Sequence, residues 1–114
     1  MWALPKTITT KNSRYLPRFQ ELCERHAFKP TWLTNYEMAE CPGFCEFGRD
    51  VLRRGTGEIG MHLHPWNSPP LTDNDPKYQA YLIEYPESVM NDKIRFMTEL
   101  LERRFERKMV SHRP

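Results

Sequence analysis

The residues best suited to chemistry in this sequence are two histidines separated by one residue, in the segment GEIGMHLHPWNSPP at 57–70. His62 and His64 stand at the end of a short apolar run that predicts a β-strand. Side chains two apart on a strand point to the same face, so both imidazoles can reach one ion. The spacing therefore predicts a metal-binding pair. The other interpretation is two ordinary histidines at the edge of a loop.

A metal site needs further ligands, because a catalytic zinc ion takes at least three from the protein. The candidates by chemistry, none of them selected by spacing, are Asp50, Asp73, Asp75 and His112. Cys41 and Cys45 form a C-x-x-x-C pair, but no two further zinc ligands lie close to them in sequence. With Cys23 the chain has three cysteines, an odd number, which predicts reduced thiols rather than a closed disulfide framework.

Helices and strands that could position these residues alternate along the chain. Apolar periodicity predicts helices over 15–28, 44–54 and 86–105, and strands over 31–34, 58–63 and 108–111. We expect the first strand to be buried and Cys23 to lie in the core. On the third helix the expected buried face is Val89, Met90, Ile94, Met97, Leu101 and Phe105, and the residues expected to point outward are Lys93, Glu99 and Arg103. This order is typical of parallel βα units, so the predicted fold class is α/β.

Three segments fall outside this pattern. Residues 1–14 form a polar N-terminal segment, and 35–42 is a loop or the start of a short helix. Residues 64–85 form a long Pro-rich loop that begins at the carboxyl end of the second strand. Ligands of α/β proteins bind at that end of the sheet, and loops of this length are usually functional or disordered.

Composition limits the class of protein. The 114 residues fit one domain, and the 17 Lys and Arg against 15 Asp and Glu give a net charge of only +2. We therefore expect no nucleic acid as a partner. The apolar runs are too short for a membrane span, the mean hydropathy is −0.76, and the first 14 residues lack a signal-peptide core. These features predict a cytoplasmic protein without a membrane partner.

Two stretches of the sequence, LPRFQELCERHAFKPTWLTNYEMA and RRGTGEIGMHLHPW, resemble polysaccharide deacetylases of the chitooligosaccharide deacetylase-like group. The final KMVSHRP resembles the strand of that family that ends in Arg-Pro or Arg-Ala, so the resemblance covers nearly the whole chain from Tyr15 onward. It implies a seven-stranded (β/α) barrel. It also implies removal of acetyl groups from N-acetylated sugars with a divalent metal, expected to be zinc, and so a carbohydrate substrate.

The resemblance assigns roles to four residues. His62 matches the first metal histidine of the family. The second usually lies four residues later, where this chain has Trp66, so His64 is its expected substitute. Arg113 matches the arginine that orients the catalytic aspartate. Trp66 is expected to stack on a sugar ring.

The chain also departs from the family. Residues 1–14 contain no Asp or Glu to match the aspartate pair of the first strand, and the late general-acid histidine is missing. A complete (β/α) barrel has about 250 residues. We therefore expect 1–114 to be a single partial domain, about half a barrel, that is inactive alone. The alternatives are a non-catalytic α/β interaction module, self-associating through exposed strand edges, and an unrelated α/β protein with a chance H-x-H.

Overall fold

Strands and helices alternate in the computed structural model, which describes residues 7–71 and 81–114. The helices are α1 (Leu16–Arg25), α2 (Tyr36–Ala39), α3 (Pro42–Arg54) and α4 (Glu87–Phe105). The strands are β1 (Thr31–Thr34), β2 (Glu58–His62) and β3 (His112–Arg113). Two short 3-10 helices cover Lys11–Tyr15 and Leu82–Glu84. Part of the predicted polar segment, 1–6, and part of the predicted Pro-rich loop, 72–80, lie outside the described residues.

The strands form one parallel sheet in the order β1-β2-β3. In its register Trp32 is beside Ile59, and Met61 and His62 are beside His112 and Arg113. The predicted α/β class with parallel βα units is therefore confirmed. No helix within 7–71 and 81–114 is both long and apolar enough to cross a membrane.

Local sequence accounts for the ends of the helices. The side chain of Asn35 accepts a hydrogen bond from the Met38 amide and so caps α2, which confirms a short helix in 35–42. Pro42 occupies the first turn of α3, where a missing N–H costs nothing. Gly55 ends α3 with φ 66°, a left-handed conformation that glycine adopts without strain.

The third strand begins later than predicted. The expected strand at 108–111 is wrong, because His112 and Arg113 are the residues that pair with β2. Glu106 ends α4 in the left-handed region at φ 51°. The Met109 amide then donates to the Glu102 carboxylate at 2.9 Å, so this N–H is not available to a strand ladder. The chain reaches the sheet only after that bond.

One face of the sheet is packed against helices. Ile59, Met61 and Leu63 alternate along the chain and join a core cluster with residues of α3 and α4, namely Phe44, Cys45, Leu52, Met97, Leu100, Leu101 and Phe105. Trp32 extends this face, with Phe19 of α1 and Phe47 of α3 at ring-centroid distances of 5.8 and 5.4 Å. The helices α1, α3 and α4 therefore pack on the same side of the sheet.

The opposite face of the sheet is largely uncovered in the described structure. Its residues alternate with those of the core face and are Thr31, Leu33, Glu58, Gly60, His62 and Arg113. The expectation of a buried first strand is thus only half right. Thr34 is buried, but Leu33 is 38% exposed, because no helix within 7–71 and 81–114 packs over it. Parallel sheets usually have both faces covered.

The buried face of α1 differs from the apolar pattern. Cys23 is buried, as predicted, but Phe19 and Leu22 are exposed and Gln20 is buried. The Gln20 amide donates to the Thr56 carbonyl at 3.0 Å and accepts from the Trp32 indole at 2.8 Å. These bonds satisfy a polar group that would otherwise be costly to bury. Polar pairing, rather than apolar content, therefore selects the inner face of α1.

The face of α4 also differs from the prediction. Lys93, expected to point outward, is 0% exposed, and Ile94, expected to be buried, is 38% exposed. Met97, Leu101 and Phe105 are buried, as predicted, whereas Val89 and Met90 are only partly buried. The reason is that the Lys93 ammonium reaches two main-chain carbonyls beyond β2, at Ser68 and Pro70.

Candidate metal-binding site

The two predicted metal histidines lie together at the carboxyl end of β2. His62 is the last residue of the strand and stands on the uncovered face of the sheet. The Nε2 atoms of His62 and His64 are 2.9 Å apart, and the rings meet nearly edge to face, at 76°. The structure therefore brings these imidazoles to one point.

The ring of His62 is oriented by the neighbouring strand. Its Nδ1 lies 3.1 Å from the main-chain carbonyl oxygen of Arg113, which the parallel register places alongside. A carbonyl oxygen can only accept, so Nδ1 carries the hydrogen and Nε2 keeps a lone pair. An imidazole whose other nitrogen donates to a carbonyl is the usual arrangement of a metal ligand.

The tautomer of His62 determines that of His64. Since Nε2 of His62 is an acceptor, Nε2–H of His64 donates to it. That leaves Nδ1 of His64 as an unprotonated nitrogen, buried and without a hydrogen-bond partner among the described residues. The lone pair on Nε2 of His62 is therefore occupied by the Nε2–H of His64 in this state, and a cation held by both Nε2 atoms would require the other tautomer of His64, with its hydrogen on Nδ1.

A tight turn positions His64. The amides of Asn67 and Ser68 both donate to the His64 carbonyl, at 3.0 and 2.9 Å. The side chain of Asn67 donates to Glu37 at 2.7 Å, which anchors the turn to α2. Trp66 stacks on the His64 ring, with centroids 5.0 Å apart and planes 12° from parallel. One face of the indole is thus occupied by His64, and stacking of Trp66 on a sugar stays a prediction.

The surroundings favour neutral imidazoles. Burial lowers the pKa of His64, and the nearby charge of His62 lowers it further, while Glu37 opposes both. Burial also lowers the pKa of His112, with a smaller contribution from His62. Neutral imidazole is the form that binds metals, so the electrostatics of this region are compatible with a cation site.

The third ligand is not present among the described residues. Asp50 is engaged by Arg53 and Arg54 at 2.7 and 2.8 Å on α3, and Asp73 and Asp75 lie outside the described part of the chain. Within 7–71 and 81–114, no group of three or more His, Cys, Asp or Glu side chains is arranged to hold a metal ion. The histidine pair thus fits two positions of a zinc site.

His112 lies near the pair but on the other side of the sheet. It is beside Met61, whose side chain is in the core, and it lines an apolar cavity of about 160 Å³ together with Leu63, Pro65, Tyr81, Leu82, Ile83 and Pro114. The side chains of His62 and His112 therefore start on opposite faces. The structure does not bring His112 into the pair as a third ligand.

Arg113 contacts the site through its main chain. Arg113 is exposed, and its carbonyl oxygen is the atom that contacts the His62 ring. The predicted role of its guanidinium, orienting a catalytic aspartate, is not tested by any contact in the described structure. The sequence pattern could not indicate the carbonyl, because only the strand register places it beside the ring.

The cysteines do not take part in this site. Cys23, Cys41 and Cys45 are free thiols, as predicted. A hydrogen bond from the Phe44 amide lowers the pKa of Cys41, whereas burial raises that of Cys45, whose thiol donates to the Ala39 carbonyl at 3.2 Å. Both lie at the start of α3, near its contact with α2.

Comparisons of the chain with protein-family models, with curated proteins and with solved structures gave no match. The resemblance to polysaccharide deacetylases therefore depends on the motif residues themselves. Among these, the H-x-H pair is the part for which the structure supplies a geometry, a 2.9 Å approach of two imidazole nitrogens.

Proposed function

We propose that this chain carries the metal-binding part of a metal-dependent hydrolase of the polysaccharide deacetylase type. His62 and His64 would hold a divalent ion, expected to be zinc. The observation that carries the proposal is the convergence of their Nε2 atoms at the end of β2, with the His62 ring oriented by the Arg113 carbonyl. The outer hydrogen bond on His62 is the kind that fixes the tautomer of a metal ligand.

The arrangement of the sheet supports the proposal. In a (β/α) barrel all helices lie outside, and the site lies at the carboxyl ends of the strands. Here the helices α3 and α4 pack on one face of consecutive strands, and the histidine pair stands on the other, at the carboxyl end of β2. We therefore propose a seven-stranded (β/α) barrel as the fold, of which this chain forms about half.

The chemistry divides between the metal and the chain. A bound divalent ion supplies Lewis acidity that lowers the pKa of a water molecule and polarises an acetyl carbonyl. The residues of this chain would hold the ion and orient the substrate. His62 and His64 would be the ligands, and Trp66 beside them would be a surface for an N-acetylated sugar. Hydrolysis also needs a carboxylate base and a proton donor for the leaving amine. Residues 1–14 supply no carboxylate, so we propose that the chain is inactive alone.

A zinc titration tests the proposal directly. The metal-free chain is titrated with Zn²⁺ in a calorimeter, together with His62→Ala and His64→Ala. We expect one ion per wild-type chain and a loss of at least about 10-fold in affinity in each variant. His26→Ala is the matched control, because His26 is an exposed histidine at the end of α1. Equal zinc binding by wild type and both site variants would remove the metal site from the proposal.

A second candidate function, a non-catalytic interaction module, is favoured by a different observation. Leu33 is exposed on the uncovered face, and β1 and β3 are the edge strands of the described sheet. Unpaired edges favour pairing with another strand, including one from a second copy. Light scattering over a range of concentrations distinguishes the candidates. A monomer at all concentrations argues against self-association.

Location in the cytoplasm belongs to the same proposal. The three free thiols are compatible with a reducing compartment, where disulfides are rare. Fluorescence imaging of the tagged protein, with fractionation, tests this prediction.

A further inference from the structure

Lys93 of α4 is buried under the segment that follows β2. Its side chain is 0% exposed, and Nζ donates to the main-chain carbonyls of Ser68 and Pro70, at 2.8 Å in each case. The ammonium also lies 5.4 Å from the centroid of the Tyr85 ring, within the range of a cation–π contact. One side chain thus contacts both the segment 68–70 and Tyr85, which lies two residues before the start of α4.

The segment held by Lys93 is continuous with the candidate metal site. Ser68 is itself buried, and its amide donates to the carbonyl of His64. Trp66, one of the three residues between them, stacks on the His64 ring. A movement of Ser68 therefore changes the carbonyl anchor and the ring contact of His64 together.

Stability alone does not explain a lysine at this position. Removing an ammonium from water is costly unless its donors find good acceptors, and an apolar side chain of similar length would fill the same space without that cost. What the ammonium adds is direction, since its donors fix the positions of the Ser68 and Pro70 carbonyl oxygens, and the Ser68 amide binds the carbonyl of His64.

We propose that Lys93 is a positioning residue for the histidine pair: it holds the turn 65–70 so that Trp66 stays stacked on His64 and Nε2 of His64 stays at His62. This inference rests on the proposed function for its consequence, metal binding. Its structural part, the order of the turn, can be measured without any metal.

The experiment compares wild type with Lys93→Met, which keeps the length of the side chain and removes its donors. The first measurement is the ¹H chemical shift of the His64 ring protons in metal-free protein. The ring current of the stacked Trp66 indole shifts these resonances upfield. The second is the affinity for Zn²⁺. Leu101→Val is the control, because it changes core packing on α4 two turns away from Lys93. If Lys93→Met does not fold, Lys93→Leu replaces it, since leucine also lacks a hydrogen-bond donor.

We expect the lysine variant to lose the upfield shift and to bind Zn²⁺ about 10- to 100-fold more weakly, the usual effect of removing an outer-shell partner. The control should keep both properties. A lysine variant with wild-type shift and wild-type affinity would overturn the inference and leave the proposed function standing. If wild type binds no zinc, the proposed function fails, and loss of the shift in the lysine variant still supports the positioning role.

Discussion

The carbonyl oxygen of Arg113 and Nδ1 of His62 lie 3.1 Å apart across two neighbouring parallel strands. This relationship sets the tautomer of His62, and through the 2.9 Å contact of the Nε2 atoms it also sets that of His64. A backbone atom on the edge strand therefore determines where the lone pairs of the candidate site are. The site depends on the pairing of β2 with β3 as much as on the histidines.

The first prediction concerns these tautomers. In metal-free protein at neutral pH, His62 should be protonated at Nδ1 and His64 at Nε2, because the first donates to a carbonyl and the second to an imidazole. Long-range ¹H–¹⁵N correlation spectra of the rings identify the protonated nitrogen. Observation of an Nε2–H tautomer for His62 would contradict the hydrogen bond to Arg113.

The second prediction is a loss of stability in mild acid. The pKa values of His64 and His112 lie below the ordinary value of 6.5, mainly because of burial. Below that value the unfolded chain takes up protons at these histidines before the folded chain does. The free energy of unfolding should therefore be at its full value above pH 6.5, decrease as the pH falls from 6.5 towards the lowered pKa values of the folded state, and level off below them.

Urea denaturation at a series of pH values measures this dependence. His64→Phe, which cannot titrate, should have a weaker dependence than wild type. A free energy of unfolding that increases as the pH falls from about 7 to about 5 would show that the sign is wrong.

The third prediction concerns Gly60, at the centre of β2. A Cβ at this position would lie 2.9 Å from Leu33 of β1 and 3.0 Å from the Ser111 carbonyl, which is too close on both sides. Gly60→Ala should therefore destabilise the protein by about 1–3 kcal/mol and weaken zinc binding, because it separates β3 from β2.

Gly43→Ala is the control for this change. A Cβ at Gly43 meets nothing within 4 Å, and the residue is in the first turn of α3. This variant should be neutral or more stable by up to about 1 kcal/mol, since alanine is the better helix former. Thermal or urea unfolding compares the two. Equal stability of both variants would mean that the strands adjust to the added methyl group.

Several features of the fold could be predicted from local sequence. The strand at 31–34 and the end of α3 at Gly55 follow from apolar runs and a glycine that adopts a left-handed conformation. Cys23 is in the core as the helical period predicts. That His62 and His64 lie on the same side of the chain follows from the two-residue period of extended backbone. Each of these depends only on neighbours along the chain.

The rest depends on residues distant in sequence. Lys93 is buried because carbonyls 23 and 25 residues away accept hydrogen bonds from its ammonium, and the hydropathy of α4 does not contain that information. One signal was present: Lys93 precedes Met97 by four residues and so lies on the same face of the helix. The sequence held no such signal for the role of the Arg113 carbonyl, because every residue has a main-chain carbonyl and only the strand register places this one beside His62.

The fourth prediction concerns Gln20, which the apolar pattern of α1 did not select. Gln20→Leu removes the acceptor of the Trp32 indole and the donor to the Thr56 carbonyl. Each buried polar group left without a partner costs about 1–3 kcal/mol. The free energy of unfolding should decrease accordingly, as measured by urea denaturation. Glu21→Gln, at an exposed neighbour, should change it by less than about 0.5 kcal/mol. A stable Gln20→Leu would mean that apolar burial compensates for both lost bonds.

The one-sided packing of the sheet has a consequence for how further strands and helices can be added to it. The strands follow one another in chain order, and α3 and α4 share one face, so each strand–helix pair is added to the last in the same sense. A further pair joined to the free edge of β3 would leave the contacts of β1 and β2 unchanged. The arrangement is therefore additive. The tilt and stagger of the strands determine how many strands a parallel sheet of this kind would need before its two edges could meet.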